Sequence, residues 1–437
     1  MPDIQPYQRE QLGANAMMDS IRKLLWLALV LSAGCLQAQA QPTDLAGNRL
    51  SLSAFGTLGV ARSDNDRVQY VRDLSQREGL SKEWSAAVDS VIGAQANLKL
   101  GESTEAVVQA ISRYRYDGSH RPEISWAYVR HEFTPDLQIR LGRLGTEFYM
   151  QADSRLVGYA NTTVRPPPDF FGPLIFSYFD GGDISGALPL GPGLLRGKFF
   201  YGRSPETSPF YAEIPWRLEG TQLKGGYLDY FVENWQFRVG RMQVKFSNNE
   251  LPLAELANLL LAGKDIPGLT LPWAITTAIP ELSTVGTRTY FDSLGTIYDR
   301  GPLRVHAMVG RIKHQTEAYE DSKAGFIVAS YRFGEVTPYL GYSKTRSKAS
   351  NVTTVPVTPL GAMPLLTQIA QGITSSTHSN QHTTTLGFRW DFQRNMALKF
   401  QLDEVRGARD SVFSFRGTNK DWDGHLQVLS ATLDFAF

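Results

Sequence analysis

The chain has few of the residues that form disulfides in exported domains or that build catalytic centres. It carries one cysteine, Cys35, in 437 residues, so no disulfide can form within it. The 44 basic residues nearly balance the 43 acidic ones, so the chain has no large net positive charge that would attract nucleic acid. The seven histidines show neither metal-ligand spacing nor a nucleophile elbow. We therefore expect no cofactor, no metal, no nucleic-acid partner and no enzymatic activity.

Long hydrophobic runs are also missing, apart from one near the N-terminus. There Arg22 and Lys23 precede an apolar stretch over 24–36, which closes with Ala38-Gln39-Ala40, the small-x-small pattern of a signal-peptidase site. The run is shorter than the roughly 20 residues that a membrane-spanning helix needs. Residues 1–40 are therefore predicted to be a cleaved export signal, and a membrane anchor is the weaker alternative.

Two details of this N-terminus refine the prediction. The residues before Met17 or Met18 are polar and place the basic segment too deep for an export signal, which indicates an over-long start. A lipid attached at Cys35 is disfavoured, because Ser32 stands where a lipoprotein signal has leucine. Cleavage after residue 40 removes that thiol and leaves 41–437 as one mature domain.

The mature chain consists of alternating apolar and polar residues in segments of about ten. This is the length at which a tilted strand crosses the hydrocarbon layer with one face to lipid and one to water. With 42% hydrophobic residues and 39 glycines, the chain is too polar for a helical membrane protein. Sixteen strands are predicted, near 49–60, 88–100, 104–116, 122–133, 136–145, 175–188, 194–203, 219–231, 234–246, 286–298, 302–314, 323–333, 335–347, 381–392, 395–406 and 425–437.

The connections between these segments alternate between short and long. Every second one is a tight turn such as Thr134-Pro135 or Gln393-Arg394, and the intervening ones are mostly long, as over 146–174 and 247–285. Membrane barrels place short turns in the periplasm and long loops outside. The predicted fold is all-β: a transmembrane antiparallel up-and-down β-barrel of about 16 strands. Within the 247–285 loop, leucines at helical spacing between Leu253 and Gly263 predict one short helix.

The last strand has its apolar residues in strict alternation and ends on an aromatic residue. Leu429, Ala431, Leu433, Phe435 and Phe437 share one face, which in a soluble protein invites aggregation. From these residues the chain resembles the Gram-negative outer-membrane porins. The resemblance implies an outer-membrane location, contact with outer-membrane lipid and a homotrimer. It also implies that Phe435 and Phe437 are recognised by the barrel-assembly machinery.

The face opposite to lipid carries basic residues on several strands. Arginine on the lipid face near the bilayer centre costs about 2–4 kcal/mol, so this face is expected to line an aqueous channel. The alternative is that these side chains pair with carboxylates on neighbouring strands. The predicted lining residues of the strands are Arg113, Arg115, Arg140, Arg196, Lys198, Arg238 and Arg304.

The loop over 146–174 is the candidate constriction, because it is the third outer loop and the resemblance to porins implies a third loop folded into the lumen. Three consecutive prolines, Pro166 to Pro168, stiffen it, and the aromatic pair Phe170-Phe171 can anchor it on the wall. The alternative is a loop on the extracellular rim. Its charged residues, predicted to lie at the constriction, are Glu147, Asp153, Arg155, Arg165 and Asp169.

These observations predict an outer-membrane porin that passes small hydrophilic solutes and ions by diffusion, with a lean toward anions. Two rivals remain open: a barrel hydrolase with its residues at the rim, and a β-protein with a ligand-binding or adhesion role. In the strands near the C-terminus every second residue is still apolar, as in Leu386-Phe388-Trp390-Phe392. This pattern favours the membrane barrel over a secreted binding module.

Overall fold

A computed structural model describes residues 49–147, 149–211, 214–247, 283–349, 375–412, 415–417 and 421–437. The predicted export signal over 1–40 and the predicted helix over 253–263 lie outside these ranges. In the described part of the chain, no helix has both the length and the apolar character required to cross a membrane.

Sixteen antiparallel strands close into a barrel, as the sequence predicts. Each predicted segment overlaps one of them, and every end agrees within three residues. The barrel strands are β1 (Leu50–Ser63), β3 (Val91–Lys99), β4 (Thr104–Arg113), β5 (Glu123–Thr134), β6 (Leu137–Gly145), β7 (Tyr178–Leu190), β8 (Gly193–Arg203), β11 (Gln222–Val232), β12 (Trp235–Lys245), β13 (Arg288–Arg300), β14 (Leu303–His314), β15 (Ser322–Tyr331), β16 (Val336–Ser347), β17 (Asn380–Gln393), β18 (Met396–Gly407) and β20 (His425–Ala436).

The first and last strands meet, so the sheet has no free edge. β1 pairs with β20 and with β3, and Phe55 faces Ala436 across the seam. Ala54 and Phe437 exchange backbone hydrogen bonds of 2.8 and 2.7 Å. Closure satisfies the backbone groups that an open edge would leave unpaired in lipid.

The two faces of each strand differ in the way the alternation predicts. On β20, Leu429 is exposed, whereas Ser430, Thr432 and Asp434 point inward and are buried. Large apolar side chains stay exposed around the outward face, and aromatic residues gather near the short turns, as an interfacial girdle requires. The girdle on the turn side includes Phe133, Trp235, Tyr331, Phe333 and Trp390.

Several elements lie away from the barrel wall and were not predicted. Two short antiparallel pairs form from the long loops: β2 (Gln69–Tyr70) with β19 (Phe415–Arg416), and β9 (Thr207–Tyr211) with β10 (Ile214–Arg217). The 146–174 loop contains a 3₁₀ turn, Gly158–Ala160, and one helical turn, α1 (Pro168–Phe171). These loops bring apolar side chains into the barrel, so a packed core occupies part of its interior.

Candidate functional site

The 146–174 loop crosses the inside of the barrel and is fixed to the wall at several points. The backbone N–H of Val164 donates to Gln401 Oε1 on β18 at 2.9 Å. Helix α1 contacts β15, β16 and β17. The prolines before α1 restrict the backbone, so few conformations are lost when the loop is held in this position.

Arg165 is a deeply buried anchor of the loop. Its guanidinium makes a two-pronged ion pair with Asp89, at 2.9 Å from Nε and 2.6 Å from Nη2. Nη1 lies 2.7 Å from Asp403 Oδ2, and Nη2 also donates to Ser430 Oγ. The three charged side chains are 1–2% exposed, and two carboxylates surround one cation. A buried charge is tolerated only with such complete pairing.

Asp169, at the start of α1, is the second anchor. Its two carboxylate oxygens accept hydrogen bonds of 2.7 Å from Ser343 on β16 and from Gln381 on β17. Beside it, the rings of Phe170 and Phe171 pack against Phe326 on β15, with centroids 5.1 and 5.7 Å apart. The aromatic pair therefore anchors the loop on the wall, as the sequence suggested.

The 3₁₀ turn of the loop lies against the seam between β1 and β20. Lys399 Nζ donates to the carbonyl oxygens of Gly158 at 2.7 Å and of Thr163 at 3.0 Å, and it pairs with Asp434 at 3.1 Å. A Cβ at Gly158 would lie 2.1 Å from Thr57 Oγ1 and 2.2 Å from an Asp434 oxygen. Only glycine permits this close approach.

The other end of the loop carries Glu147 into a group of three wall cations. Its carboxylate pairs with Lys198 on β8 and lies 3.9 Å from both Arg140 on β6 and Arg238 on β12. Tyr227 donates its hydroxyl hydrogen to Glu147 at 2.7 Å. The Glu147 side chain is 17% exposed, as is that of Arg140, whereas Lys198 and Arg238 are 9% and 5% exposed, so solvent reaches part of this group.

The wall cations around Glu147 also pair with carboxylates on their own sheet. Arg140 binds Asp183 through Nε at 3.1 Å to both oxygens. Arg238 binds Asp229 with two contacts of 2.7 Å and stacks on the Tyr227 ring at 3.6 Å. The wall therefore carries alternating charges, which is the cross-strand pairing considered as the alternative to a uniform positive surface.

The remaining predicted wall residues fall at different heights in the barrel. Arg113 and Arg115 both contact Glu123, at 3.1 and 3.4 Å. Near the short turns, Arg304 pairs with Asp299 at 2.6 Å. Arg196 is exposed, lies 5.2 Å from the ring centre of Phe231, and has no carboxylate within 4 Å among the residues described.

Two charged residues of the loop have unusual environments. Arg155 is buried and donates to the carbonyl oxygens of Ala152 and Phe176 and to Ser177 Oγ. Burial lowers its pKa to about 10. Burial and the neighbouring Glu147 raise the pKa of Asp153 to about 6, so this carboxyl changes charge near neutral pH.

A cavity of about 150 Å³, lined by both polar and apolar groups, lies between the loop and the wall of β14 and β15. Arg304, His306 and Ser330 line it from the wall, and Thr162 and Asn161 line it from the loop. Its volume has room for several water molecules. Together with the partly exposed Glu147 and Arg140 side chains, it shows that the loop leaves some space inside the barrel.

The anchors at Asp89, Gly158 and Asp229 were missed by the sequence reasoning. Asp229 shares the inward parity of Tyr227 on β11, so strand alternation alone could have found it. Asp89 lies within the predicted segment 88–100, although it precedes β3 in the structure, and Gly158 lies within the loop without a periodic signal. Their partners are distant in sequence and become visible only in the folded chain.

One arrangement at the extracellular rim bears on the hydrolase alternative. Ser347, His378 and Glu320 lie together, with His378 Nδ1 2.7 Å from Glu320 Oε2. Ser347 donates its hydroxyl hydrogen to the same carboxylate oxygen at 2.5 Å. A nucleophilic serine instead hands its proton to an imidazole nitrogen that is free to accept it. The described residues also contain no group of three or more His, Cys, Asp or Glu suited to a metal ion.

Comparisons with known proteins agree with the geometry. No family model and no curated protein sequence matches the chain. Among solved structures, it is similar to Salmonella typhi OmpF, with 11% identity, a TM-score of 0.54, and coverage of 90% of this chain and 98% of that one. It is also similar to a loop L8 deletion mutant of OmpT, an outer membrane protein of Vibrio cholerae, with 11% identity, a TM-score of 0.50, and coverage of 89% and 100%. Pseudomonas putida OprB has 10% identity, a TM-score of 0.50, and coverage of 89% and 94%. The likeness at this identity concerns the fold, and the chain has the closed 16-stranded barrel of the outer-membrane porins.

Proposed function

We propose that the protein is an outer-membrane channel for passive diffusion of small hydrophilic solutes and ions, with its constriction at the 146–174 loop. The observation that carries this proposal is the contact of Glu147, whose side chain is 17% exposed, with Arg140, Lys198 and Arg238 at the loop. A closed barrel with apolar residues outward and charged residues inward suits a wet interior. The loop anchors give that interior a fixed narrow section.

The charges at this section favour weak ion selectivity. Carboxylates of Asp183, Asp229 and Glu147 balance the three cations, so a permeating ion meets little net charge at this section. Alternating charges orient dipolar solutes and disfavour apolar ones. The proposed lean toward anions rests on Arg196, which is exposed on the inward face near a short turn.

The outward face supports the proposed homotrimer. On β20, β1, β3 and β4, small side chains alternate outward, including Ala54, Gly56, Ala94, Ala110 and Ala431. These small residues stand among larger outward ones such as Ile92, Val108 and Leu429, and they allow locally close packing between two barrel walls in lipid. We place the subunit contact on this sector, and we assign Phe435 and Phe437 as the recognition signal of the barrel-assembly machinery.

Reconstitution into planar bilayers tests the proposal. The wild-type protein is expected to give discrete conductance steps in salt. Glu147→Gln removes one negative charge from among three positive ones, so its reversal potential in a salt gradient should move toward anion preference. Glu102→Gln, at an exposed periplasmic turn, is the matched control and should behave as wild type. A folded wild-type protein without conductance refutes the channel, whereas conductance with unchanged selectivity in Glu147→Gln refutes the placement of the constriction.

A further inference from the structure

Basic side chains cluster on the outward face of five adjacent strands, toward their extracellular ends. Cross-strand partners follow one another from Arg241 on β12 through Asp292, Arg311 and Lys323 to Arg346 on β16. Lys313 and Lys344 lie two residues away on β14 and β16 with the same outward parity. We call these residues the basic belt: Arg241, Asp292, Arg311, Lys313, Lys323, Lys344 and Arg346.

The basic belt has too few carboxylates for its cations. Asp292 is its one acidic member and is shared by Arg241 at 3.4 Å and Arg311 at 2.8 Å. Lys323 lies directly between Arg311 and Arg346 in the sheet. In the part of the chain that the structure describes, Lys323 and Arg346 have no carboxylate within 4 Å. Like charges directly opposite each other destabilise a sheet, so an anion from outside would stabilise this surface.

The position of the basic belt indicates which anion. Closer to the periplasmic end of the same strands, the outward-facing residues are apolar and exposed, for example Leu294 and Val309. The basic belt therefore begins where the lipid-facing apolar surface ends. At this depth, phosphate groups of lipids are the anions held against the barrel, and basic residues gain about 1 kcal/mol each near such a surface.

The sector also faces away from the proposed subunit contact. In the closed strand order, β14 at the centre of the basic belt lies opposite β4 and β3, which carry small outward residues. A basic surface on that side stays in contact with lipid when the other side is covered by a second copy. The basic belt is thus placed for a lipid, and a second copy of the chain would have to bury its uncompensated charges.

We propose that the basic belt binds the phosphate groups of a phosphorylated lipid in the outer leaflet. Lys323, Arg346 and Lys344 donate charge-assisted hydrogen bonds to one phosphate group, and Arg311 is held ready by Asp292. This interaction is separate from conduction, because the basic belt is on the outside of the barrel and the proposed constriction is inside.

The test measures lipid binding by the purified full chain in neutral detergent. The probes are a phosphorylated glycolipid and the same lipid after enzymatic removal of its phosphates, each titrated while bound lipid is counted by native mass spectrometry. The variant Lys323→Gln/Arg346→Gln removes two unpaired charges. Lys99→Gln/Arg332→Gln is the control, since it removes two exposed charges at the periplasmic end.

We expect wild type and control to prefer the phosphorylated lipid, and the belt variant to lose about thirtyfold in affinity at about 1 kcal/mol per charge. High salt should weaken wild-type binding in the same direction. Equal binding of both lipids by wild type, or unchanged binding by the belt variant, overturns the proposal. A smaller oligomer in the belt variant also overturns it, because the surface would then be a subunit contact. Bilayer conductance is expected to be the same for all three proteins, so failure here leaves the proposed channel untouched.

Discussion

Arg165 Nη1 lies 2.7 Å from Asp403 Oδ2, and both side chains are almost completely removed from solvent. The two residues are 238 positions apart in the chain. One belongs to the loop inside the barrel and the other to the wall, so this contact joins the candidate constriction to the cylinder that surrounds it.

Replacing Arg165 tests the importance of that contact. Arg165→Met leaves Asp89 and Asp403 buried without their cation, which is expected to destabilise the folded barrel by about 3–5 kcal/mol. The loop should also move from its position and raise single-channel conductance. Urea unfolding followed by tryptophan fluorescence, together with bilayer recording, measures both effects.

Arg406→Met serves as the control for this change, because Arg406 is an exposed arginine paired with Glu404 on the outer face. Such surface pairs contribute about 0–1 kcal/mol. If the two variants have the same unfolding midpoint and conductance, Arg165 does not anchor the loop.

Gly158→Ala should displace the 3₁₀ turn, since the added Cβ would overlap Thr57 and Asp434. We expect altered conductance and a lower midpoint of thermal unfolding. Gly101→Ala is the matched change, because a Cβ there meets no atom within 4 Å. Wild-type conductance in Gly158→Ala would show that the turn does not shape the channel.

Ion selectivity should depend on pH through Asp153, whose pKa burial and Glu147 raise to about 6. This carboxyl is ionised above that pH and neutral below it. Lowering the pH from 7.5 to 5 therefore removes a negative charge at the loop and should shift the reversal potential toward anions. Asp153→Asn should abolish this step and resemble acidified wild type already at pH 7.5. A full shift that persists in the variant assigns the titration to another group.

Phe437→Ala should lower the fraction of protein that assembles, if the terminal aromatic residue is the recognition signal. Its ring stacks near Phe435 on the outside of the barrel, with centroids 5.8 Å apart. Barrels that do form should conduct normally. Heat-modifiable gel mobility of membrane fractions measures assembly, and Phe333→Ala, an exposed aromatic residue at a periplasmic turn, is the control. Equal assembly of both variants would contradict the assignment.

The wall of the barrel could be predicted because its signal is local. Each strand, such as β14 or β20, has one face toward lipid and one toward the interior, so apolar and polar residues alternate along its sequence. Turn residues such as Gly101 and Gly301 then separate the strands. Both requirements, an apolar face toward lipid and a short turn to the next strand, can be recognised within a segment of about ten residues.

The interior could be predicted only in part. Pro166 to Pro168 and Phe170 indicated a fixed loop, but the pairing of Arg165 with Asp89 needs the register of distant strands. The same holds for Arg140 and Asp183, which face each other across β6 and β7. Sequence shows which residues point inward, whereas the net potential depends on which of them meet.

The seam between β1 and β20 has a kinetic consequence. Its partners Phe55 and Ala436 are 381 positions apart in the chain, and Tyr70 and Phe415, which pair β2 with β19, are 345 positions apart. Contacts between residues so far apart in sequence carry a large loop-closure entropy cost. The barrel is therefore expected to form slowly. β20 must therefore be synthesised before the cylinder can close, and until then the unpaired apolar strands can aggregate.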